Sequence, residues 1–529
     1  MAAFEPLPPP NTAEPLLTLV LSLTISCAAY VLVARLVPAL GPDLVAKGLK
    51  GRDMLKHGFV RKGDEPTGAG KGGEDNDGAK ADVPGAVDLP EATGVIGASV
   101  YILLLSLFAP LPYLSSLLPS SFSSLPSLNT TSPFPSALIP ADHPCAPLLP
   151  QGLLEGSLSF PHHSFATYLA SLLSLLIATF LGFCDDVFDI RWRFKLPIPL
   201  IASVPLLVTY AAGHGVTDIV LPNLFGLRSL LGVEGTGGVL HLGPLYYAYM
   251  SLLSTFCTNS INILAGVNGV EVSQALLIAL SLLLNDLLYL TFSLSPILSL
   301  LPASLLSRIP PWLLHRLEEP ITAGFANGSK ELADRHLFSL YFMLPLVGVC
   351  AGLLKWNWYP ARSFIGDTFC YFAGMAFATV GILGHFSKTL LLFFGPQIVN
   401  FVYSTPQLFG LVPCPRHRLP RLNRETGMLQ PSWAVLTPAA QRTSREKLGV
   451  ALLRLLARLR LVRLQRHPTT REVEATTNLT LLNLLLLLGG PVREDGLAKR
   501  MVWLQALGSV GAFGVRYGMG GWVYGGGRV

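Results

Sequence analysis

Charge is scarce in this chain. Asp, Glu, Lys and Arg make up only 13% of its 529 residues, against 51% apolar residues. That balance excludes an ordinary soluble protein, in which about a quarter of residues are charged. Cysteine is scarce too: there are seven, an odd number without paired spacing, which argues against a disulfide framework. Cys27, Cys184, Cys257, Cys350 and Cys370 lie in or beside apolar runs, where a thiol is usually a small buried hydrophobe; Cys145 alone falls in a long predicted luminal loop. No Lys or Arg precedes the first apolar run, so the basic n-region of a cleaved signal peptide is missing. That run reads as a spanning helix with its N-terminus translocated. No internal repeat is visible, which disfavours a transporter built from two matched halves with charges near the bilayer midplane.

What the chain does have is long apolar runs. About ten approach or exceed the length needed to cross a bilayer, at 15–36, 93–117, 165–184, 196–213, 244–263, 269–293, 337–354, 369–386, 388–409 and 501–522. They predict an all-α polytopic membrane protein with about ten transmembrane helices and a small cytosolic α+β insertion before the last one. The organisation expected is a first helix and the start of a cytosolic loop (1–60), then a disordered Gly-, Asp- and Lys-rich insertion (61–88). A transmembrane catalytic core (89–409) follows, with luminal loops 118–161 and 294–336. A cytosolic substrate-binding segment (410–500) and a last helix with a Gly-rich tail (501–529) complete the chain.

Basic residues mark alternate loops. Arg35, Lys47, Lys50, Arg52, Lys56, Arg61 and others crowd 35–92, and Arg191, Arg193 and Lys195 share the 185–195 loop. The 113–162 loop has no Lys or Arg, and 213–243 has only Arg228. The asymmetry places the first set in the cytosol. The 294–336 loop, with Arg308, Arg316, Lys330 and Arg335, is assigned by helix parity alone. Sequons at Asn129 and Asn327 then face the lumen, while the sequon at Asn478 faces the cytosol and is expected to carry no glycan. Between Arg445 and Arg466, leucine clusters alternate with arginines. The pattern suits an amphipathic helix lying on an anionic membrane surface or, equally, one packed on its own domain.

Polar residues gather at the ends of the apolar runs, all on the cytosolic side. Inside a bilayer such groups cost a few kcal/mol each, so their presence at helix ends points to a use. Asp185, Asp186 and Asp189 form a carboxylate cluster whose members repel unless a cation relieves them. Followed closely by Arg191, Arg193 and Lys195, it suits a hard divalent cation with an anionic substrate better than a merely solvated helix end. Asn259 and Asn262 are three apart and share a helical face; an amide oxygen is a competent Mg²⁺ ligand. Gly266 and Gly269, around Asn268, permit tight turns and close approach of backbone amides to a ligand. Asp367, in Phe364-Ile-Gly-Asp-Thr368, begins an apolar run and suits either an N-cap or a metal ligand. Arg416-His417-Arg418, bracketed by prolines, suits recognition of phosphate and sugar hydroxyls. Glu91 joins the same face.

Six stretches together resemble a known family: Leu181-Gly-Phe-Cys-Asp-Asp186, Arg191-Trp-Arg-Phe-Lys-Leu196, Cys257-Thr-Asn-Ser-Ile-Asn-Ile-Leu-Ala-Gly-Val-Asn-Gly269, Phe364-Ile-Gly-Asp-Thr-Phe-Cys-Tyr-Phe-Ala-Gly374, Gly381-Ile-Leu-Gly-His-Phe-Ser-Lys388 and Pro413-Cys-Pro-Arg-His-Arg418. The family is that of eukaryotic UDP-GlcNAc:dolichyl-phosphate GlcNAc-1-phosphate transferases, within a superfamily of polyprenyl-phosphate amino-sugar transferases. The resemblance implies a homodimer in the endoplasmic reticulum membrane, a cytosolic active site, Mg²⁺ dependence and tunicamycin sensitivity. By it, Asn262 and Asp367 are the Mg²⁺ ligands, and Lys195 holds dolichyl phosphate. Glu91, Asn268 and the backbone and ring of Phe364 cradle the uridine of UDP-GlcNAc. Arg416, His417 and Arg418 hold the GlcNAc and its phosphate, and Trp192 lines the lipid groove. Asp186 is implied in catalysis, supported by Asp185, Asp189 and Asn259. The 61–88 insertion, the enlarged luminal loops and the Gly-rich end depart from the family pattern.

Overall fold

The computed structural model describes residues 13–52, 88–110, 161–292 and 330–519, apart from short gaps that include Asp189, Arg191, Arg416 and His417; between 293 and 329 only scattered positions are described. The 61–88 insertion up to Val87, nearly all of 118–161, most of 294–336, Cys145, Asn129 and Asn327 therefore lie outside the described residues, as do the side chains of Trp192 and Arg193.

Helices dominate. In chain order they are α1 (Ala13–Ala46), α2 (Gly94–Phe108), α3 (His162–Phe188), the short α4 (Trp192–Lys195), α5 (Ile198–Ala212), α6 (Pro244–Ile263), α7 (Val270–Leu287), α8 (Lys330–Asn357) and α9 (Gly366–Leu383). They continue with α10 (Ser387–Phe393), α11 (Gly395–Leu408), α12 (Ser444–Arg458), α13 (Leu481–Gly489) and α14 (Glu494–Phe513). Among the described residues, five stretches are long and apolar enough to cross a membrane: Leu19–Ala46, His162–Phe188, Val270–Leu287, Glu331–Asn357 and Gly366–Leu383. The protein is a multi-pass membrane protein.

Two expected runs differ in detail. The 388–409 run is broken into α10 and α11 at Phe394-Gly395-Pro396, because Pro396 has no N–H to donate and its ring opposes continuation of the preceding helix. The last helix starts at Glu494 rather than 501, extending the apolar segment by two polar turns.

Between lipid-facing helices, close approach and interhelical hydrogen bonds replace a solvent-driven hydrophobic effect. Gly348 and Gly352 of α8 provide such a surface: a side chain at either would run into Ser26 or Val33 of α1. Gly374 of α9 likewise abuts the backbone of Cys257 and Thr258 in α6, and Gly182 of α3 abuts Thr368 of α9. A buried amide network adds polar links. Gln397 Nε2 donates to Gln274 Oε1 (2.7 Å) and Gln505 Oε1 (2.8 Å), joining α11, α7 and α14. Each such bond contributes about 0.6 kcal/mol.

Between α11 and α14 the chain folds into a small α+β unit. Strands β1 (Lys50–Arg52), β2 (Asp88–Pro90), β3 (Asp218–Val220), β4 (Val239–His241), β5 (Thr291–Phe292) and β6 (Ile321–Thr322) pair as antiparallel ribbons earlier in the chain. Within the unit, β7 (Arg421–Asn423) pairs with β8 (Met428–Gln430). A three-stranded antiparallel sheet runs in the order β10 (Leu464–Arg466), β11 (Val473–Thr477), β9 (Trp433–Val435). Helix α12 starts at a capping box, in which Thr443 accepts from the Glu446 N–H and the Glu446 carboxylate accepts from the Thr443 N–H. Its Gly449, Val450 and Leu453 are buried, the two apolar side chains with Val412, Leu436, Val462, Val473 and Leu479. One face of the Leu/Arg segment is thus packed on its own domain, and the segment ends as β10 rather than as helix to Arg466.

The unit is fastened to α11. Ser404 donates to Leu479 O (2.7 Å), Gln407 Nε2 donates to Asn478 Oδ1 (2.8 Å), and Leu479 N–H donates to Gln407 Oε1 (2.8 Å). Asn478 is 1% exposed and holds Ser432 through its Nδ2, so its sequon is closed to glycan in the folded chain.

Candidate active site

The residues that end α3 and α6 and those that begin α2, α7 and α9 meet at one end of the helix bundle. The junction is built from bonds to backbone groups. Thr93, just before α2, donates through its N–H (3.0 Å) and its hydroxyl (2.8 Å) to Phe364 O, and Phe364 N–H donates to Pro90 O (2.8 Å). Asn357, at the end of α8, accepts from Gly269 N–H (3.0 Å) and donates to Ser363 O (3.0 Å), tying the loop before α7 to the loop before α9.

At the centre lies Lys195. Its Nζ is 2.9 Å from Asp185 Oδ1 and 2.8 Å from Asp367 Oδ2. The Asp185 side chain is fully buried; Oδ1 also accepts from Ile190 N–H (3.1 Å), while Oδ2 has no hydrogen-bond partner among the described residues. Burial pulls the Lys195 ammonium down, but the Asp367 and Asp185 carboxylates outweigh it and hold the group above its ordinary value. It is therefore a fixed cation.

Asp186, one residue on, faces α9. Its Oδ1 accepts from Asp367 N–H (2.5 Å), and its Oδ2 accepts from Thr368 N–H (3.0 Å) and the Thr368 hydroxyl. Asp186 thus caps a neighbouring helix, satisfying amides that the first turn leaves open and placing negative charge at the positive end of its dipole. The N-cap role that the sequence allowed for Asp367 falls to Asp186 instead, which frees the Asp367 side chain to face Lys195. Gly366 makes this possible. Its φ is +72°, and a Cβ there would sit 2.5 Å from the Asp186 carboxylate.

Asn262, at the end of α6, opens onto a cleft of about 250 Å³ with Gly266, Arg418, Leu419 and Thr480. Arg418 carries a buried Nη1 without a hydrogen-bond partner among the described residues. Its backbone is held by the α+β unit, since Arg418 O accepts from Asn483 Nδ2 (2.8 Å) and Ser432 Oγ (3.2 Å). The approach of α6 to α9 at Thr258 and Gly374 carries Asn262 about one turn, and Asp367 about two turns, beyond the crossing in the same direction. Glu91 and the Phe364 ring come together around Gly51 of β1, where a Cβ would lie 3.3 Å and 2.9 Å from them.

The Asn259 amide nitrogen donates to Thr255 O on its own helix (2.9 Å), a bond that does not use the amide oxygen. Two expectations change. The backbone amides around Asn268 do not wait for a ligand: Gly266, Asn268 and Gly269 N–H groups donate to Glu271 Oε1 (2.8 Å), Glu494 Oε1 (2.9 Å) and Asn357 Oδ1. The backbone of Phe364 is likewise taken by Pro90 and Thr93, while its half-buried ring lies beside Gly51. Asp189, the Trp192 side chain, Arg416 and His417 lie outside the described residues.

Sequence reasoning gave no role to Thr368, Glu271, Asn357, Glu494 or the side chain-free Gly366. Glu271 had a signal, an acid in the first turn of an apolar helix. Asn357 and Glu494 had none, because their partners are 88 and 226 residues away.

The donor set fits a hard divalent cation in part. No group of three or more His, Cys, Asp or Glu among the described residues is arranged to hold a metal by itself. Oxygen donors from Asp367 and the Asn262 amide nonetheless match Mg²⁺, which takes one or two protein ligands and completes its shell with water and substrate phosphates.

A helical membrane core with a lysine–carboxylate cluster at one end defines the class: residues 168–385 match glycosyl transferase family 4. The chain is 39% identical to the UDP-N-acetylglucosamine--dolichyl-phosphate N-acetylglucosaminephosphotransferase of Schizosaccharomyces pombe, with 93% of this chain and 90% of that one covered. The Saccharomyces cerevisiae enzyme of the same name is 36% identical, covering 96% and 93%, and the Dictyostelium discoideum enzyme is 40% identical, covering 68% and 71%. The chain belongs to the UDP-N-acetylglucosamine--dolichyl-phosphate N-acetylglucosaminephosphotransferase family.

Proposed function

We propose that this protein transfers GlcNAc-1-phosphate from UDP-GlcNAc to dolichyl phosphate, giving GlcNAc-diphosphodolichol and UMP, the first step in building the lipid-linked N-glycan precursor. The observation that carries the reading is Lys195 held between Asp185 and Asp367 at a polar helix-end junction, in a chain that aligns with such transferases over nearly its whole length.

In this reaction an oxygen of the acceptor phosphate attacks the β-phosphorus of UDP-GlcNAc. A P–O bond forms there as the bond to the bridging oxygen breaks, and UMP leaves with the electron pair. Both reactants are anions, so positioning and charge neutralisation are the main tasks. Lys195 receives the acceptor phosphate. Arg418, whose Nη1 has no partner among the described residues, meets the donor's phosphate or sugar in the Asn262 cleft, joined by Arg416 and His417. Glu91, Asn268 and the Phe364 ring hold the uridine, and Trp192 lines the lipid groove. Asp367 and Asn262 would hold Mg²⁺, which when bound would supply charge neutralisation of the pyrophosphate. A phosphate monoester has its second pKa near about 6, so the acceptor is largely dianionic at neutral pH and needs no strong base. Asp186 has both oxygens committed to the start of α9, which supports an organising role rather than proton abstraction. Asp185 and Asp189 complete the carboxylate cluster.

The wider reading is a homodimer of ten-helix chains in the endoplasmic reticulum membrane, with the site and the α+β unit facing the cytosol. Purified protein is expected to release UMP only when UDP-GlcNAc, a polyprenyl phosphate and a divalent cation are all present, and tunicamycin should stop it. UMP release that is indifferent to the lipid acceptor would sink the assignment. Gly366→Ala should destabilise the fold by ~1–2 kcal/mol, the cost of a non-glycine residue at such a φ, and should lower UMP release by displacing the Asp186 carboxylate; unchanged UMP release and melting temperature would contradict the capping geometry. For orientation, a glycosidase-sensitive mass shift lost in Asn129→Gln supports luminal placement of its loop. One lost in Asn478→Gln would overturn it.

A further inference from the structure

Helix α12 has two apolar faces. One is buried in the α+β unit through Val450 and Leu453. On the opposite side Leu448, Leu455 and Leu459 are 62%, 51% and 61% exposed, at spacings of seven and four residues that align them in one stripe. Lys447, Arg454 and Arg458 flank the stripe on one side and Arg445 on the other, and all four are exposed. The one acid of the helix, Glu446, is turned away from this face into bonds with Thr437 and Thr443. The outer surface is therefore apolar and purely basic.

Its position is fixed against a membrane helix. Gly449 packs on the backbone of Leu411, just past the end of α11, with no room for a side chain. Tyr403 of α11 donates to Leu461 O (2.6 Å), beyond the C-terminal end of α12. Tyr403 lies about 7.5 Å along the helix from its last residue, so this end of α12 descends beside the last turns of α11. Nearby on α11 and its exit, Val399, Val402 and Phe409 are 52%, 62% and 68% exposed, so an apolar surface runs alongside.

We propose that the outer face of α12 lies on the anionic leaflet of the bilayer that holds the helices, with the leucines entering the acyl boundary and the four basic residues meeting lipid phosphates. The proposal rests on the membrane-embedded, cytosol-facing reading above. Two copies of this face would set basic residues against basic residues, which opposes a homotypic contact. Because Leu411 and Val412 pack on α12 immediately ahead of Pro413–Arg418, the docked helix sets the height of Arg418 above the surface at which a lipid-linked phosphate presents itself.

The test uses the full chain with Cys27, Cys145 and Cys414 changed to Ser, a nitroxide at Leu455→Cys, and a control label at the exposed Gln441→Cys. The labelled chains are placed in nanodiscs of phosphatidylcholine with and without about 30% phosphatidylserine. The expected result is that the Leu455 label is relaxed by oxygen and protected from an aqueous nickel chelate, more so with phosphatidylserine, while the Gln441 label stays open to nickel. Nickel accessibility at Leu455 equal to that at Gln441 in both lipids would overturn the proposal. So would shielding from both reagents, which signals a protein partner. In addition, the paired variant Leu448→Glu/Leu455→Glu should raise KM for polyprenyl phosphate by about fivefold without changing the melting temperature in detergent, as expected when only interfacial binding is weakened. The depth measurement needs no turnover, so its failure is separate from failure of the catalytic reading.

Discussion

Lys195→Ala should reduce UMP release by about 10³-fold, the largest effect expected of any single substitution in the site. The lysine is the cation shared by a buried carboxylate and a partly exposed one, at 2.9 and 2.8 Å. In the proposed mechanism its removal costs the acceptor phosphate its counter-charge, and in the fold it leaves Asp185 buried and uncompensated, a penalty of about 3–5 kcal/mol. Activity and stability are therefore both expected to fall, and a second substitution separates them. Adding Asp185→Asn should restore much of the melting temperature but not the turnover. If turnover also returned, Lys195 would be a structural counter-ion rather than the acceptor's partner. Lys195→Arg should rescue only partly, since a planar fork does not reproduce a point charge placed between two acids. The pH dependence has a definite sign. The folded-state value of Lys195 is raised, so its contribution is complete below the ordinary 10.5 and is lost only as pH rises through the still higher folded value. Lys195 should thus produce no falling limb in the activity profile between neutral pH and about 10.

Asp367→Ala should lower turnover by about 10²–10³-fold with little change in melting temperature. The two effects part because the fold uses the backbone of Asp367, whereas the proposed mechanism uses its carboxylate. Its N–H is held by Asp186 and survives the substitution, whereas its carboxylate, 27% exposed, faces Lys195 at the open end of the bundle. Asp367→Asn keeps an oxygen donor but loses the charge, so it should need a higher Mg²⁺ concentration for half-maximal UMP release. Full activity in Asp367→Ala, or an unaltered Mg²⁺ requirement in Asp367→Asn, would remove this residue from the metal site.

The sequence made the class and much of the site legible for a physical reason. A bilayer excludes charge, so each acid, amide or base at the end of an apolar run stands out, and Asp185, Asp186, Lys195, Asn262, Asp367 and Arg418 were all singled out in this way before the structure placed them. Which helix end each one touches was not legible. Asp186 lies next to Asp185 in sequence, yet the two serve different partners because successive helical residues point about 100° apart. The same limit applied to the loop around Asn268. Its glycines suggested amides open to a ligand, but Glu494 closes one of them from 226 residues away.

By itself, then, the amino-acid sequence determined that this chain lives in a membrane as a mostly helical, multi-pass protein and which residue types crowd the ends of its apolar runs, because those properties follow from local hydropathy and charge. Only tertiary structure decided that Lys195 joins α3 to α9, that Asp186 caps a helix instead of facing open solvent, and that Arg418 is carried to the Asn262 cleft by the α+β unit. Those pairings depend on distances between helices far apart in the chain, which packing at Gly182, Gly366 and Gly374 sets and no local pattern encodes.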